Sequence, residues 1–395
     1  MNILILGATG FIGNAIFHKL ISKHSITIAG RKPIESYDNF KYIDFFDDNL
    51  SNRFEGLIDS IDLVINAIGI ISGDFNKIQA ELPISLYKLC QENNIKIIHI
   101  SAIGAEKDNP KTEFLRTKKI TDDFLLNYKN AKIIYPGVVI GRNSQSTQFF
   151  AEITQFPIIP LLGKNDVPLV HISQLVGLVE KTINQFENQA QQIFAIAEPE
   201  SMEDYFTALK GKKSIYIQTP KFIFTLLFAI FPKIKIGAFN KNLYTLSQII
   251  SVEDYTPIFT KATKEIDRAN IIKSDHFPQL FALLSISFIW IWSGISSLIS
   301  WETSQNIINH ITENSQIANS IIISASIIDI LIGIIIFNHK YRQITLLISI
   351  TFILVYMIII SVYLPHYWLD PFGILIKNIP LLMLSYYLYG KWQRS

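Results

Sequence analysis

The hydrophobic rhythm of the chain changes near residue 277. Before that point, apolar runs of strand length alternate with stretches in which apolar residues recur every three or four positions. Ile3-Leu4-Ile5-Leu6 is the first such run, and Phe11, Ile12, Ala15, Ile16 and Leu20 form the first helical stripe. Further strands are read at residues 26–29, 42–43, 63–67, 96–100 and 133–135, with helices over about 76–93 and 113–128. This alternation predicts an α/β fold built on a doubly wound parallel sheet with right-handed crossovers. Residues 200–270 are less regular. A strand-like stretch at 214–217 precedes a very apolar segment, 222–231, flanked by Lys221, Lys233 and Lys235. At about 10 residues it is too short to span a bilayer. It is read as a buried helix of a small substrate lobe, the alternative being an interfacial helix beneath anionic headgroups.

From residue 277 onward the apolar character is nearly continuous. Residues 277–300, 318–337, 344–363 and 372–390 each approach the ~20 residues a bilayer core requires, with few charges inside. The pattern predicts an all-α four-helix transmembrane domain over 277–395, following an α/β domain with its lobe over 1–270. The basic residues set its orientation. Lys261, Lys264, Arg268 and Lys273 precede the first span, Lys340 and Arg342 lie between the second and third, and Lys391 and Arg394 follow the fourth. The connections 301–317 and 364–371 contain no Lys or Arg. All basic clusters fall on one side, which predicts a multi-pass protein of a cell inner membrane with both termini cytoplasmic. Trp290, Trp292, Trp301 and Trp368 suit interfacial positions. Asp329 falls near mid-depth of the second span, where an unpaired charge costs about 2.5–3.5 kcal/mol. Lys377 falls about 9 Å inside the fourth at ~1.5 Å per residue. Asp329, Lys377 and Asn378 are expected to line one polar pocket among the helices.

Composition narrows the chemistry. The 395 residues allow two or three domains, and the net charge of +2, with no basic patch, argues against a nucleic-acid partner. Cys90 is the only cysteine, so intramolecular disulfides and multi-cysteine metal sites are excluded; no metal site is expected. The apolar start has no basic n-region and is broken by glycines, which fits a strand better than a signal peptide.

The first strand ends in Gly7, Gly10 and Gly13 and leads directly into a helix. Strand, glycine turn and helix together make a dinucleotide site of Rossmann type. Gly7 permits the tight turn, Gly10 lets backbone N–H groups approach a pyrophosphate, and Gly13 lets helix and strand pack closely. Thr9, Phe11 and Ile12 complete the stretch expected to touch the cofactor. Ala67 and Gly69, after the strand at 63–67, provide a second close approach. At the end of the second strand, Arg31 stands where NAD sites usually carry an acid, and it can meet a 2′-phosphate. NADP(H) is therefore expected in preference to NAD(H).

The spacing Gly7-x-x-Gly10-x-x-Gly13 resembles that of the short-chain dehydrogenase/reductase superfamily. By that resemblance, Asp44 belongs to an acidic turn near the adenine. Ser101 corresponds to a catalytic serine and Lys118 to the lysine of a Tyr-x-x-x-Lys pair, where it binds ribose and lowers the tyrosine pKa. Phe114 stands in the tyrosine's place, and a phenyl ring cannot transfer a proton. The segments 101–105, 114–118 and 135–141 look like the atypical branch containing NmrA-like sensors and the NADPH-binding accessory subunit of respiratory complex I. That likeness places Pro136 and Gly137 beside the nicotinamide. The segments 290–294, 364–373 and 377–380 resemble the DoxX-like membrane family, whose wider relatives are linked to thiol or quinone redox chemistry.

Together these features predict a membrane-anchored NAD(P)H-dependent oxidoreductase acting on a lipophilic small molecule, such as a quinone, at the cytoplasmic face. The alternative is a non-catalytic NADPH-binding sensor or assembly factor with a membrane-protein partner.

Overall fold

The computed structural model describes the chain apart from residues 35–36, 44–55, 57, 71–72, 162–165, 221, 223–251, 272–275, 339, 370, 372, 374 and 393–395. The chain divides into two units, Met1–Ser274 and Asp275–Ser395. The first opens with β1 (Asn2–Leu6), α1 (Phe11–Leu20), β2 (Ser25–Gly30), β3 (Phe40–Tyr42) and β4 (Leu63–Asn66). A π-helical turn, Lys77–Glu81, runs into α2 (Leu82–Glu92), followed by β5 (Lys96–Ile100), α3 (Glu113–Leu125) and β6 (Ala131–Pro136). The rest comprises β7 (Val138–Ile140), α4 (Gln145–Ile153), β8 (Ile158–Leu161), β9 (Leu169–His171), α5 (Ile172–Asn184), β10 (Gln192–Ala195), α6 (Met202–Lys210) and β11 (Ile215–Gln218).

Seven strands form one sheet in the order β10-β6-β5-β4-β1-β2-β3, with every pairing parallel. A parallel sheet is covered on both faces, so its strands must be apolar throughout. β4 and β6 are buried along their whole length. Alternate side chains then enter opposite layers. Leu4, Leu6, Val64, Ile97 and Ile133 join one core, while Ile3, Ile5, Leu63, Ile65, Ile98 and Ile134 join the other. The strand order reverses between β1 and β4, which opens a crevice at their carboxyl ends.

Two local departures from the sequence reading have physical reasons. The single helix expected over 76–93 begins as a π-turn because Pro83 lacks an N–H and its ring crowds the carbonyl one turn back. Strand β10 escaped the pattern because its four residues, Gln192–Ala195, carry only two large apolar side chains. Outside the main sheet, β8 pairs with β11 and β7 with β9, and Ile140, Ile159, Leu161, Tyr205 and Phe206 fill a third core. A later segment returns along this lobe: the Ile258 N–H donates to Ile196 O and the Glu198 N–H to Phe259 O. The apolar segment 222–231 lies almost wholly outside the described residues, as do Lys221, Lys233 and Lys235.

The second unit is helical: α7 (His276–Ile299), α8 (Trp301–Asn309), α9 (Ser315–Ile335), α10 (Arg342–Tyr363) and α11 (Asn378–Trp392). Among the described residues, three helices are long and apolar enough to cross a membrane: Pro278–Ile299, Ser315–Ile335 and Arg342–Tyr363. The fourth expected span yields a helix of 15 residues, about 22 Å at ~1.5 Å per residue, against a core of about 30 Å. Its start is set by the turn at Leu375–Lys377 and by Pro380, a residue suited to a first helical turn. The connection 301–317, expected as a loop, carries α8, an amphipathic helix that buries no residue.

Helices α7 and α9 approach closely because glycines face each other's backbone. A Cβ on Gly294 would lie 2.5 Å from Ser326 O, and one on Gly333 would lie 2.9 Å from Ser287 O. Ser287 Oγ donates to Gly333 O at 2.7 Å across the same contact. Trp290 is not interfacial: it is 3% exposed, and its indole N–H donates to Ser349 Oγ on α10 at 2.8 Å. An indole buried among helices needs such a partner, which sequence position alone does not reveal. Arg342 donates to the Ile336 and Phe337 carbonyls at the end of α9 and stacks 4.6 Å from the Trp392 ring.

Candidate dinucleotide site

Each glycine of the first turn answers to a measurable constraint. Gly7 has φ +77°, and a Cβ there would meet Ala67 C and O at 2.9 Å. Gly13 lies against the turn itself: its Cβ would sit 2.1 Å from Gly7 O. Gly10 is different, because its Cβ would touch only Gly7 O, at 3.3 Å, so protein packing alone does not demand glycine there. The Gly10 N–H donates to Gly7 O at 2.9 Å, and Gly10 caps α1 without any side-chain acceptor. The first-turn N–H groups of α1 therefore face the crevice with the positive end of the helix dipole and no acidic residue beside them. This cradle fits a pyrophosphate.

A cavity of about 430 Å³ adjoins the turn, lined by Gly7, Ala8 and Thr9 from the β1 side and by Gly30, Arg31, Lys32 and Phe40 from the β2 and β3 side. Its charged lining residues are both cations. Lys32 joins Arg31 here, a contribution the sequence reading missed although the two are adjacent. Phe11 and Ile12 are half-buried at the start of α1. Asp44 lies outside the described residues.

On the other side of the crevice, the Ala67 N–H donates to Leu6 O at 3.0 Å, while a Cβ on Gly69 would meet nothing within 4 Å. Gly137 is required by packing: its Cβ would lie 2.0 Å from Pro168 O. Pro136 O accepts the Ile103 N–H at 3.1 Å, holding the loop after β5 to the end of β6.

The residues matched to the catalytic set are present but differently engaged. Lys118 is 2% exposed and gives two of its three protons to Ile68 O (3.0 Å) and Ile100 O (2.9 Å). Burial lowers its pKa against the pull of Asp122. Phe114 is half-buried and packs edge-on against Phe75, ring centres 6.2 Å apart. The Ser101 hydroxyl donates to Asp122 Oδ2 at 2.6 Å. Behind this pair lies a polar row in an otherwise apolar layer. Asn66 Nδ2 donates to the Tyr87 hydroxyl (2.9 Å), which meets His99 Nδ1 (2.8 Å), and His99 Nε2 stands 3.6 Å from Asp122 Oδ1. Asn66, Tyr87 and His99 are fully buried. Asp122, His99 and Tyr87 were not singled out from sequence. The available signals were a histidine inside the strand Lys-Ile-Ile-His-Ile and an aspartate four residues after Lys118 on the same helix face.

Other polar groups of the chain have structural roles. His171 caps α5, accepting the Ser173 N–H through Nδ1. Cys90 is buried, and burial pushes its thiol up to about 12, so it is unreactive. In the helical unit, Asp329 is 4% exposed and accepts from Ser293 Oγ (2.8 Å) and the Tyr356 hydroxyl (3.2 Å). Lys377 is exposed in the turn before α11 and Asn378 begins that helix. Among the described residues no hydrogen bond or ion pair joins Asp329 to either, and the carboxylate is held between α7, α9 and α10. Among the described residues, no group of three or more His, Cys, Asp or Glu side chains is arranged to hold a metal.

The sheet order and glycine turn define the first unit as a Rossmann-type α/β fold. Residues 3–149 match the NAD dependent epimerase/dehydratase family, and residues 287–386 match the DoxX-like family. The chain thus joins an epimerase/dehydratase-type domain of the short-chain dehydrogenase/reductase kind to a DoxX-like membrane domain. Among solved structures, it resembles UDP-N-acetylglucosamine 4-epimerase from Bacillus cereus at 15% identity, covering 67% of this chain and 96% of that one with a TM-score of 0.47. It also resembles UDP-glucuronic acid 4-epimerase from Bacillus cereus in complex with NAD, at 20% identity, 55% and 87% coverage and a TM-score of 0.45. A hypothetical dTDP-4-dehydrorhamnose reductase from Sulfolobus tokodaii matches at 16% identity, 69% and 100% coverage and a TM-score of 0.48. No curated protein matches the sequence.

Proposed function

We propose that the protein is a membrane-anchored, NADP(H)-preferring oxidoreductase that reduces a lipophilic acceptor, of which a quinone is the type case, at the cytoplasmic face of an inner membrane. The observation that carries this reading is the glycine cradle, whose N–H groups and spare space suit a pyrophosphate. Arg31 and Lys32 supply the positive charge a 2′-phosphate needs. Lys118 keeps one proton for a ribose hydroxyl after serving Ile68 and Ile100. The bound nicotinamide supplies a hydride, and the half-buried Phe114 offers an apolar wall rather than an acid. The DoxX-like helices bring this domain to the bilayer, where a lipophilic acceptor resides, and basic residues on one side favour cytoplasmic termini.

A second reading is favoured by one observation, the phenyl ring of Phe114 where a proton donor is usual. On that reading the protein is a dinucleotide-loaded sensor or assembly factor for a membrane partner. The discriminating experiment loads detergent-purified protein anaerobically with NADPH and mixes it with a short-chain quinone. Loss of nicotinamide absorbance faster than the free-cofactor control supports the oxidoreductase. Cofactor that stays bound and reduced supports the sensor and refutes catalysis.

A further inference from the structure

Resting on the oxidoreductase reading, we propose that Ser101 and Asp122 form a two-residue proton relay that takes over the work of the missing tyrosine. Ser101 sits at the carboxyl end of β5, beside the strand ends that border the crevice, and is 5% exposed. Asp122, one turn beyond Lys118 on α3, is 1% exposed and accepts a hydrogen bond from the Ser101 hydroxyl. Their 2.6 Å contact is short enough for a proton to pass either way.

The row behind Asp122 fixes its orientation. Asn66 donates to the Tyr87 oxygen, so the Tyr87 proton points at His99 Nδ1, and the proton of neutral His99 must lie on Nε2. That N–H faces Asp122 Oδ1 across 3.6 Å, a spacing too long for a full hydrogen bond. One carboxylate oxygen is therefore steered without being saturated, and the other is committed to Ser101. Burial raises the Asp122 pKa, against the Ser101 hydrogen bond and the nearby Lys118 charge, so both protonation states are within reach near neutral pH. Burial also keeps His99 neutral. The other charged or titratable groups around Asp122 are Asp123 on α3, Glu106 in the loop after β5 and Tyr135 on β6.

The relay balances as follows. With Asp122 protonated, its O–H donates to Ser101 Oγ, which turns the serine proton outward. The acceptor takes a hydride, with its electron pair, from the reduced nicotinamide, and its oxygen takes the Ser101 proton. Ser101 takes the Asp122 proton, leaving a carboxylate. After the reduced acceptor leaves, a proton from water returns to Asp122 through Ser101. A purely structural Ser101–Asp122 contact, tying β5 to α3, requires no change of charge.

Infrared difference spectroscopy on full-length protein carrying isotope-labelled aspartate, with NADPH bound, reads that charge directly. The expected result is an acid carbonyl band that titrates between about pH 5 and 9, disappears in Asp122→Asn and shifts in Ser101→Ala. In the quinone assay, both variants are expected to lose about 100-fold in kcat with KM and NADPH affinity retained, and the solvent isotope effect is expected to change. An Asp122 locked in one state across that range, in a protein that oxidises NADPH, overturns the relay alone. An Asp122 that titrates in a protein that never oxidises NADPH overturns the oxidoreductase reading, and the relay's role with it.

Discussion

Replacing Gly13 by alanine adds one methyl group at the tightest point of the candidate site. Its Cβ would lie 2.1 Å from Gly7 O, 2.6 Å from Gly7 C and 3.0 Å from the Ala8 nitrogen, where real Cβ atoms keep at least 3.0 Å. The nearest atom is backbone, so helix α1 must withdraw from the turn by about 0.9 Å. Overpacking of this kind costs about 1–3 kcal/mol of stability. The same shift draws the first-turn N–H groups off the pyrophosphate, and one lost hydrogen bond to a charged group is worth about 1.5–3 kcal/mol. At about 1.4 kcal/mol per tenfold, the Kd for NADPH rises roughly 10- to 100-fold. Titration of full-length protein followed by reduced-nicotinamide fluorescence measures this, with a thermal melt alongside. Gly10→Ala separates the two effects. Its Cβ meets only Gly7 O at 3.3 Å, so the melt is expected to hold while binding weakens. Wild-type NADPH affinity in Gly13→Ala would refute the assignment of this turn as the pyrophosphate site.

Other outcomes follow from the same geometry. Arg31→Ala is expected to weaken NADPH about 10- to 100-fold in calorimetric titration while leaving NADH nearly unchanged, since only the former carries the extra phosphate. Phe114→Tyr restores a phenol four residues before Lys118 and is expected to create or raise carbonyl reduction, read as substrate-dependent NADPH oxidation; a silent site favours the sensor. Gly294→Ala would place a Cβ 2.5 Å from Ser326 O and 2.8 Å from Ile330 Cγ1, separating α7 from α9 and straining the Ser293–Asp329 hydrogen bond. A loss of about 1–3 kcal/mol is expected, read as a lower melting temperature in detergent.

The parts legible from sequence are those governed by local rules. The glycine spacing demanded a strand-to-helix turn, and the strands of the sheet other than β10 announced themselves as short β-rich runs because both sheet faces are covered. Three long apolar helices were equally plain. What escaped depends on contacts distant in sequence. Nothing local told that Trp290 would find Ser349, or that Lys377 would stand in a turn. The row from Asn66 through Tyr87 and His99 to Asp122 joins residues of four strands and helices up to 56 positions apart, and each member alone looks like an ordinary core or surface residue. Ser101 and Lys118 were singled out by the family resemblance, while the hydrogen-bond partners that surround them were not.

The most direct test of the account uses liposomes that carry the full-length protein and a long-chain quinone confined to the bilayer, with NADPH supplied only in the outer solution. The account predicts NADPH oxidation whose rate saturates with quinone content, vanishes without protein and falls in Gly13→Ala. NADPH that binds yet stays reduced at every quinone content would contradict it.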